Sequence, residues 1–329
     1  MRLLIHEKAL ARNAAAIAAH GDRLELLVVD DAGSIRADGA EVSVDEAQPH
    51  AAWANADVFF SGAARAFMTA TLKSQSLSWV QSGAAGFDNP VFGQFVEKGA
   101  VLTTSHGQAV GIADYVLWGV LDALQGGAAR RADQAARQWT RRPFREVAGS
   151  RWVILGFGAI GQGIAERARA FGAEITAVRR NPDPHPLADR MVPPARFADV
   201  AAEADVLVLC APATAETRHI ANAALFERMK SGSVFVNVGR GALVEEPALL
   251  AALDRGAPGH AVLDVFETEP LPTDSPFWAH PAVTMTPHAS GVSSGNAPRN
   301  DALFLENLEL WVAGKPLRNV ADPKDVRAG

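Results

Sequence analysis

The chain has 329 residues, room for about two domains of ~150 residues with separate hydrophobic cores, which excludes a peptide hormone or a single small module. Lys and Arg number 31 against 37 Asp and Glu, so the net charge is −6 and the pI is near 5.9. No broad basic face follows from that balance, and nucleic acid is not an expected partner.

The composition, 48% hydrophobic and 21% charged, is that of a globular rather than a disordered chain. One cysteine cannot form an internal disulfide, so nothing asks for an oxidising compartment. The N-terminal apolar run stops at His6, Glu7 and Lys8, short of a signal-peptide core. No later run approaches the ~18 apolar residues of a membrane span. The expectation is a soluble, cytoplasmic protein with no membrane contact.

In the first hundred residues short β-like runs alternate with Ala-rich helical stretches, the α/β pattern. Strands are predicted over residues 2–5, 24–29, 58–60 and 77–81. A helix is predicted over 108–125, where Val110, Ala113, Val116, Leu117, Val120, Leu121 and Leu124 recur at helical spacing until Gly126-Gly127 ends the pattern. Residues 128–149 are polar and Arg-rich with little periodic apolar signal, and read as a connector. A second α/β series follows, with strands predicted over 152–155, 173–178, 205–210, 233–238, 261–263 and 282–285 and helices between most of them. One more helix is predicted over 300–313.

The strongest local signal is Gly156-Phe157-Gly158-Ala159-Ile160-Gly161, directly after a strand and leading into a helical pattern over 164–171. The first glycine permits a tight turn, the second lets backbone approach a pyrophosphate, and the third allows close helix packing. The helix N-terminus adds free N–H groups and a positive dipole end. About 20 residues on, at the end of the next strand, the position that meets the adenosine ribose carries an acidic residue in NAD-selective sites. Here Arg179 and Arg180 stand there. Arginine pairs with a 2′-phosphate through charge-assisted hydrogen bonds, so NADP(H) is the expected preference and NAD(H) a possible second cofactor.

Three further residues each follow a strand: Arg240 in Val236-Asn237-Val238-Gly239-Arg240-Gly241, Glu269 in the segment from Ala261 to Pro270, and His288 after Thr284-Met285-Thr286-Pro287. Singly, they read as a surface ion pair, a solvated loop charge and a hydrogen-bonded loop residue. Together, past strand ends of one Rossmann-like half where ligands bind, they point to catalysis. An arginine can clamp a carboxylate, and a histidine held by a carboxylate can move a proton.

These motifs resemble the D-isomer-specific 2-hydroxyacid dehydrogenase family. The resemblance runs from Gly156–Gly161 through Pro212-x-Thr214-x-x-Thr217, residues 236–241 and 263–270, to residues 276–288. In the first half it rests on Gln81-Ser82-Gly83-Ala84-Ala85-Gly86-Phe87-Asp88-Asn89 and on Ile112-Ala113-Asp114-Tyr115, where Asp114 replaces the usual Glu. The stretch from Trp79 to Asp88 is most like the glyoxylate and hydroxypyruvate reductase branch.

The resemblance implies a Rossmann-type coenzyme domain, 101–288, inserted into a discontinuous flavodoxin-like substrate domain, 1–100 plus 289–329. It implies hydride transfer between NAD(P) and a small 2-oxo or 2-hydroxy acid, with His288 as acid and base and Glu269 holding its imidazole. Arg240 would bind the substrate carboxylate, helped by the backbone of Ala85 and Gly86. Gly156, Gly158, Ala159, Ile160 and Gly161 would bind the cofactor, with Pro212, Thr217, Val238 and Gly239 lining it and Asp264 taking the carboxamide. A homodimer joined through residues 115–124 and 128–149 is also implied. The alternative, a dinucleotide-sensing corepressor-like binding protein of the same fold, would need a partner groove and need not keep Arg240, Glu269 and His288.

Nine histidines show no metal-ligand spacing, so no metal is expected. Cys210 reads as an inert core thiol, and Trp53, Trp79 and Trp278 as core aromatics rather than lining of a substrate pocket.

Overall fold

Apolar runs with no alternation suit strands buried on both faces, and the computed structural model, which describes residues 1–86 and 89–328, places them in two sheets, one mostly and one wholly parallel. The chain divides into two compact units, Met1–Gln108 with Ser294–Gly329, and Ala109–Ser293.

The first unit holds β1 (Arg2–His6), β2 (Glu25–Val29), β3 (Ile35–Ala37), β4 (Ala40–Val42), β5 (Ala51–Ala54), β6 (Trp79–Ser82) and β7 (Val101–Thr103). Their order is β4-β3-β2-β1-β5-β6-β7. The five parallel strands β2-β1-β5-β6-β7 follow the flavodoxin order. β3 and β4 form an antiparallel hairpin at one edge, turned by Asp38 and Gly39 with φ of 47° and 81°, the positive values that a two-residue turn needs. On one side of the sheet Phe304, from the helix Asn296–Val312, stacks on Trp53 at 3.8 Å between ring centroids and lies 5.8 Å from Trp79.

The second unit holds β8 (Arg151–Leu155), β9 (Glu174–Val178), β10 (Arg190–Val192), β11 (Val206–Leu209), β12 (Val234–Asn237), β13 (His260–Leu263) and β14 (Val283–Met285). All are parallel, in the order β10-β9-β8-β11-β12-β13-β14. This is the doubly wound Rossmann order with a seventh strand, and the order reverses between β8 and β11, where such sheets bind ligands. The helix Ala109–Leu124 crosses one face, and Gly119 brings it so close that a Cβ there would lie 2.5 Å from Val262 Cγ1.

Three expectations need correction. Residues 58–60 are not a strand: Asn55 caps a short helix, Ala56–Phe59, by accepting the Val58 N–H at 3.3 Å, and the strand precedes it at Ala51–Ala54. Residues 128–149 are not all connector, since Gly127–Ala135 is a helix built mostly from Ala, Arg and Gln. Those residues favour helix without needing an apolar face, and its Asp133 is held by Arg142 at 2.5 and 2.9 Å. Trp53 and Trp79 are core, but Trp278 is 55% exposed, its indole N–H donating to Pro272 O at 2.9 Å. Phe87 and Asp88, part of the motif in the first half, lie outside the described residues. Among the described residues no helix is long and apolar enough to cross a membrane.

Candidate active site

The fingerprint glycines each meet a different demand. Gly156 has φ +95°, a left-handed value, and a Cβ on it would lie 2.7 Å from Ala211 N. Gly161 packs against the carbonyl oxygen of Gly156, leaving no space for a side chain. Gly158, the N-cap of the helix Ala159–Ala170, has open space within 4 Å of a built Cβ and no side chain capping the helix. Ala159 and Ile160 form the first turn. Uncapped N–H groups beside an open cradle fit a dinucleotide pyrophosphate.

The following loops continue the same sheet edge. After β11, Thr217 Oγ1 accepts the Thr214 N–H at 2.7 Å and donates to Pro212 O at 2.8 Å, so this hydroxyl closes its own loop. After β12, Asn237 accepts the Gly239 N–H at 3.1 Å and donates to Arg240 O at 2.9 Å, clamping the turn between them. Val238 and Gly239 are buried, and a Cβ on Gly239 would lie 2.8 Å from Ala211 O. Arg240 is half-buried, with Nη1 donating to Gly239 O at 2.7 Å. Gly241 lies against the Phe266–Glu267 backbone, joining this loop to the one after β13.

Glu269 and His288 meet directly. Glu269 Oε2 is 2.7 Å from His288 Nδ1, while Oε1 accepts the Phe266 N–H at 3.0 Å. With Nδ1 taken, the second ring nitrogen, Nε2, is the one left for another partner, and the imidazole is half exposed at 51%. His288 has φ +50°, a conformation a non-glycine residue keeps only when its surroundings impose it. What imposes it is Asp264, 2% exposed, whose carbonyl oxygen accepts the His288 N–H at 2.8 Å. The Asp264 carboxylate accepts from Thr286 Oγ1 at 2.6 Å, Ala289 N at 2.7 Å, Ser290 N at 3.0 Å and Ser290 Oγ. These bonds make it the anchor of the histidine loop.

On the other side of β8, Arg179 and Arg180 follow β9, the first half-buried and the second exposed. Ala85 and Gly86 belong to the first unit, in the turn after β6, which is fixed by Ser105 N donating to Ala84 O at 2.9 Å.

Sequence reasoning did not single out His219, whose Nε2 is 2.5 Å from Glu267 Oε1 and whose φ is also +50°. The position of His219 two residues past Thr217 is the only local signal for it. Nor did it pair Tyr115 with the site: its hydroxyl donates to Leu263 O at 3.2 Å, and burial pushes its pKa up to about 12. Burial likewise pushes the Cys210 thiol to about 12, with Sγ 2.9 Å from Gly156 O. Among the described residues no cluster of His, Cys, Asp or Glu could hold a metal ion.

A glycine cradle at the switch point with a carboxylate–histidine pair along the same edge defines a dinucleotide-binding oxidoreductase of the Rossmann class. Residues 117–290 match the model of the D-isomer specific 2-hydroxyacid dehydrogenase NAD binding domain. The chain is 34% identical over 277 residues to 4-methyl-2-oxopentanoate reductase A of Aspergillus oryzae, covering 83% of each protein. A stretch of 174 residues is 38% identical to glyoxylate/hydroxypyruvate reductase B of Escherichia fergusonii, spanning 52% of this chain and 53% of that one. Among solved structures, the NADPH-dependent glyoxylate/hydroxypyruvate reductase of Sinorhizobium meliloti, in complex with NADP and sulfate, superimposes with a TM-score of 0.78 at 25% identity over 99% of both chains. The chain belongs to the D-isomer specific 2-hydroxyacid dehydrogenase family.

Proposed function

We propose that this enzyme reduces a small 2-oxo acid of the glyoxylate or hydroxypyruvate type to the 2-hydroxy acid, with NADPH preferred and NADH usable. The observation that carries the reading is the 2.7 Å contact between Glu269 and His288 on the sheet edge that also bears Arg240 and the glycine cradle. The bound nicotinamide supplies the hydride. His288, held through Nδ1, gives a proton from Nε2 to the carbonyl oxygen, and Glu269 supports the imidazolium. Arg240 binds the substrate carboxylate and draws charge toward the carbonyl, with backbone N–H groups of Ala85 and Gly86 assisting. Pro212, Thr217, Val238 and Gly239 shape the nucleotide wall. Asp264 fixes the loop from behind and is the residue that would take the nicotinamide carboxamide.

The cofactor preference rests on Arg179 and Arg180 directly after β9, where an acidic residue would select NAD and none occurs before Asp183. The glyoxylate and hydroxypyruvate specificity follows the named relatives. The corepressor alternative has no observation in its favour, since all three candidate catalytic side chains are present on one edge.

A homodimer fits the helix Ala109–Leu124, where Trp118 is 50% exposed beside a surface cavity of about 600 Å³ lined by Leu117, Leu121, Arg130 and Arg131. The cytoplasm, where a lone thiol such as Cys210 stays reduced, suits the same reading.

Initial rates with glyoxylate, hydroxypyruvate, pyruvate and phenylpyruvate, each with NADPH and NADH, test the proposal. Reduction of glyoxylate or hydroxypyruvate with the higher kcat/KM for NADPH is expected. No turnover of any of the four would overturn it.

A further inference from the structure

Between β9 and β10 the chain runs through Arg179, Arg180, Asn181, Pro182, Asp183, Pro184 and His185. Both ends of this segment are tied to the sheet. Arg179 N donates to Val192 O at 3.2 Å, and Asp189 donates its N–H to Ile175 O at 2.9 Å while its Oδ2 accepts the Ile175 N–H at 2.7 Å. Residues 180–184, between those ties, are exposed.

His185 supplies an attachment in the middle. Its ring meets Phe157 edge-on, with centroids 5.2 Å apart and planes at 84°. Phe157 is the second residue of the fingerprint, 3% exposed, and its core cluster also takes in Leu187 and Ala188. The His185 Nδ1 accepts the Leu187 N–H at 3.2 Å, and its carbonyl oxygen accepts the Ala188 N–H at 3.0 Å. One ring therefore joins the turn that cradles the pyrophosphate to the segment that carries the arginines.

We propose that His185 is a positioning residue for cofactor choice, fastening the Arg179–Arg180 segment to the fingerprint turn so that the guanidinium groups stand at the 2′-phosphate. This rests on the reading of Arg179 and Arg180 given above. Pro182 and Pro184 fix two φ angles between Arg180 and His185, so a restraint at His185 reaches the arginines through few soft torsions. Long arginine side chains lose less freedom on binding when their backbone is already held, and the gain falls on the group they contact. NADPH and NADH share the pyrophosphate and adenine and differ at the 2′-phosphate. A restraint on the arginines is felt by the 2′-phosphorylated cofactor alone, whereas a general role in packing the turn is felt by both.

The test uses the full chain and two probes, adenosine 2′,5′-bisphosphate and adenosine 5′-monophosphate, with affinities measured by calorimetry. His185→Ala should weaken the bisphosphate about three- to tenfold and leave the monophosphate unchanged, within the range of couplings between neighbouring groups. His185→Phe, which keeps the ring on Phe157, should recover most of the loss. In an Arg179→Ala/Arg180→Ala background, His185→Ala should have no further effect, because it acts through those side chains. Equal losses for both probes, no loss for the bisphosphate, or an undiminished effect in the arginine-less background would each overturn the proposal. If the two arginine substitutions by themselves leave the discrimination between probes intact, the NADPH reading falls, and this inference with it. If they abolish it while both His185 variants keep it, only this inference falls.

Discussion

The backbone N–H of Ala289 donates to Asp264 Oδ1 at 2.7 Å, immediately after the residue whose own N–H bonds the Asp264 carbonyl. His288 is thus gripped on both sides by one buried aspartate at the end of β13. Asp264→Ala would leave the half-buried Ala289 N–H and the buried donors of Ser290 without their partner, at about 1–3 kcal/mol for each buried group. The expected result is a Tm lower by several degrees, at ~2–4 °C per kcal/mol, with a fall in kcat. Asp264→Asn keeps Oδ1, which takes three of the four bonds, and the Ser290 hydroxyl can turn to accept from the amide. The Asn variant should stay close to wild type in Tm. Thermal melts in which Asn is as damaging as Ala would remove the loop-anchoring role.

Proton transfer through His288 gives a kinetic expectation. His288→Ala should lower kcat by roughly 10²–10⁴, the usual worth of a general acid, with cofactor binding preserved. Retention of most of the activity would refute the mechanism. In Glu269→Gln a neutral amide supports the imidazolium less, so kcat should fall while cofactor affinity holds. An unchanged kcat would remove Glu269 from its role.

Arg240→Lys keeps a charge but loses the planar fork. The kcat/KM for a 2-oxo acid should drop roughly ten- to a hundredfold, matching the ~1.5–3 kcal/mol of a charge-assisted hydrogen bond. Cofactor affinity should hold, and an equal loss toward a neutral ketone would argue against carboxylate recognition.

Much of this edge was legible in the sequence because Arg240, Glu269 and His288 each follow an apolar strand run, and in a parallel sheet all strand ends that carry ligands share one side. The pairings behind them were not. Thr286 and Ser290 reach Asp264, and His219 reaches Glu267, across loops from different strands, and such contacts leave no periodic trace. In the fold, Val206–Leu209 announces itself by branched apolar side chains, whereas Ala51–Ala54 hides because alanine suits a helix as well as a crowded central strand. The helix Gly127–Ala135 was missed for the opposite reason: its stability comes from propensity and the Arg142–Asp133 pair rather than from a buried stripe.

The Cys210 thiol provides a check on burial. A thiol whose pKa is raised to about 12 stays protonated through neutral pH, and the thiolate is the reactive form. Cys210 is only partly buried, so a thiol reagent at pH 7.5 should label the native protein much more slowly than a free cysteine and react with one equivalent once guanidinium exposes the chain. Native labelling at the rate of a free cysteine would show that β11 ends in an open site.

The same substitution at two fingerprint positions should give opposite phenotypes. A methyl on Gly161 would collide with the carbonyl oxygen of Gly156. Helix Ala159–Ala170 would have to move away from the turn, at an overpacking cost of about 1–3 kcal/mol or more. Gly161→Ala should therefore lower Tm whether or not cofactor is present. Gly158 has φ −83°, a value any residue adopts, and a methyl there meets nothing within 4 Å. Gly158→Ala should fold with the wild-type Tm. The space the methyl fills is, however, the space through which the pyrophosphate would reach the helix N-terminus, so affinity for NADPH and NADH should fall together by roughly tenfold or more, about 1.4 kcal/mol per decade. Melts without nucleotide separate the two variants, and titrations with both cofactors read the second effect. A destabilised Gly158→Ala would mean that the cradle is a packing element, and an unchanged affinity would place the phosphates elsewhere along the edge.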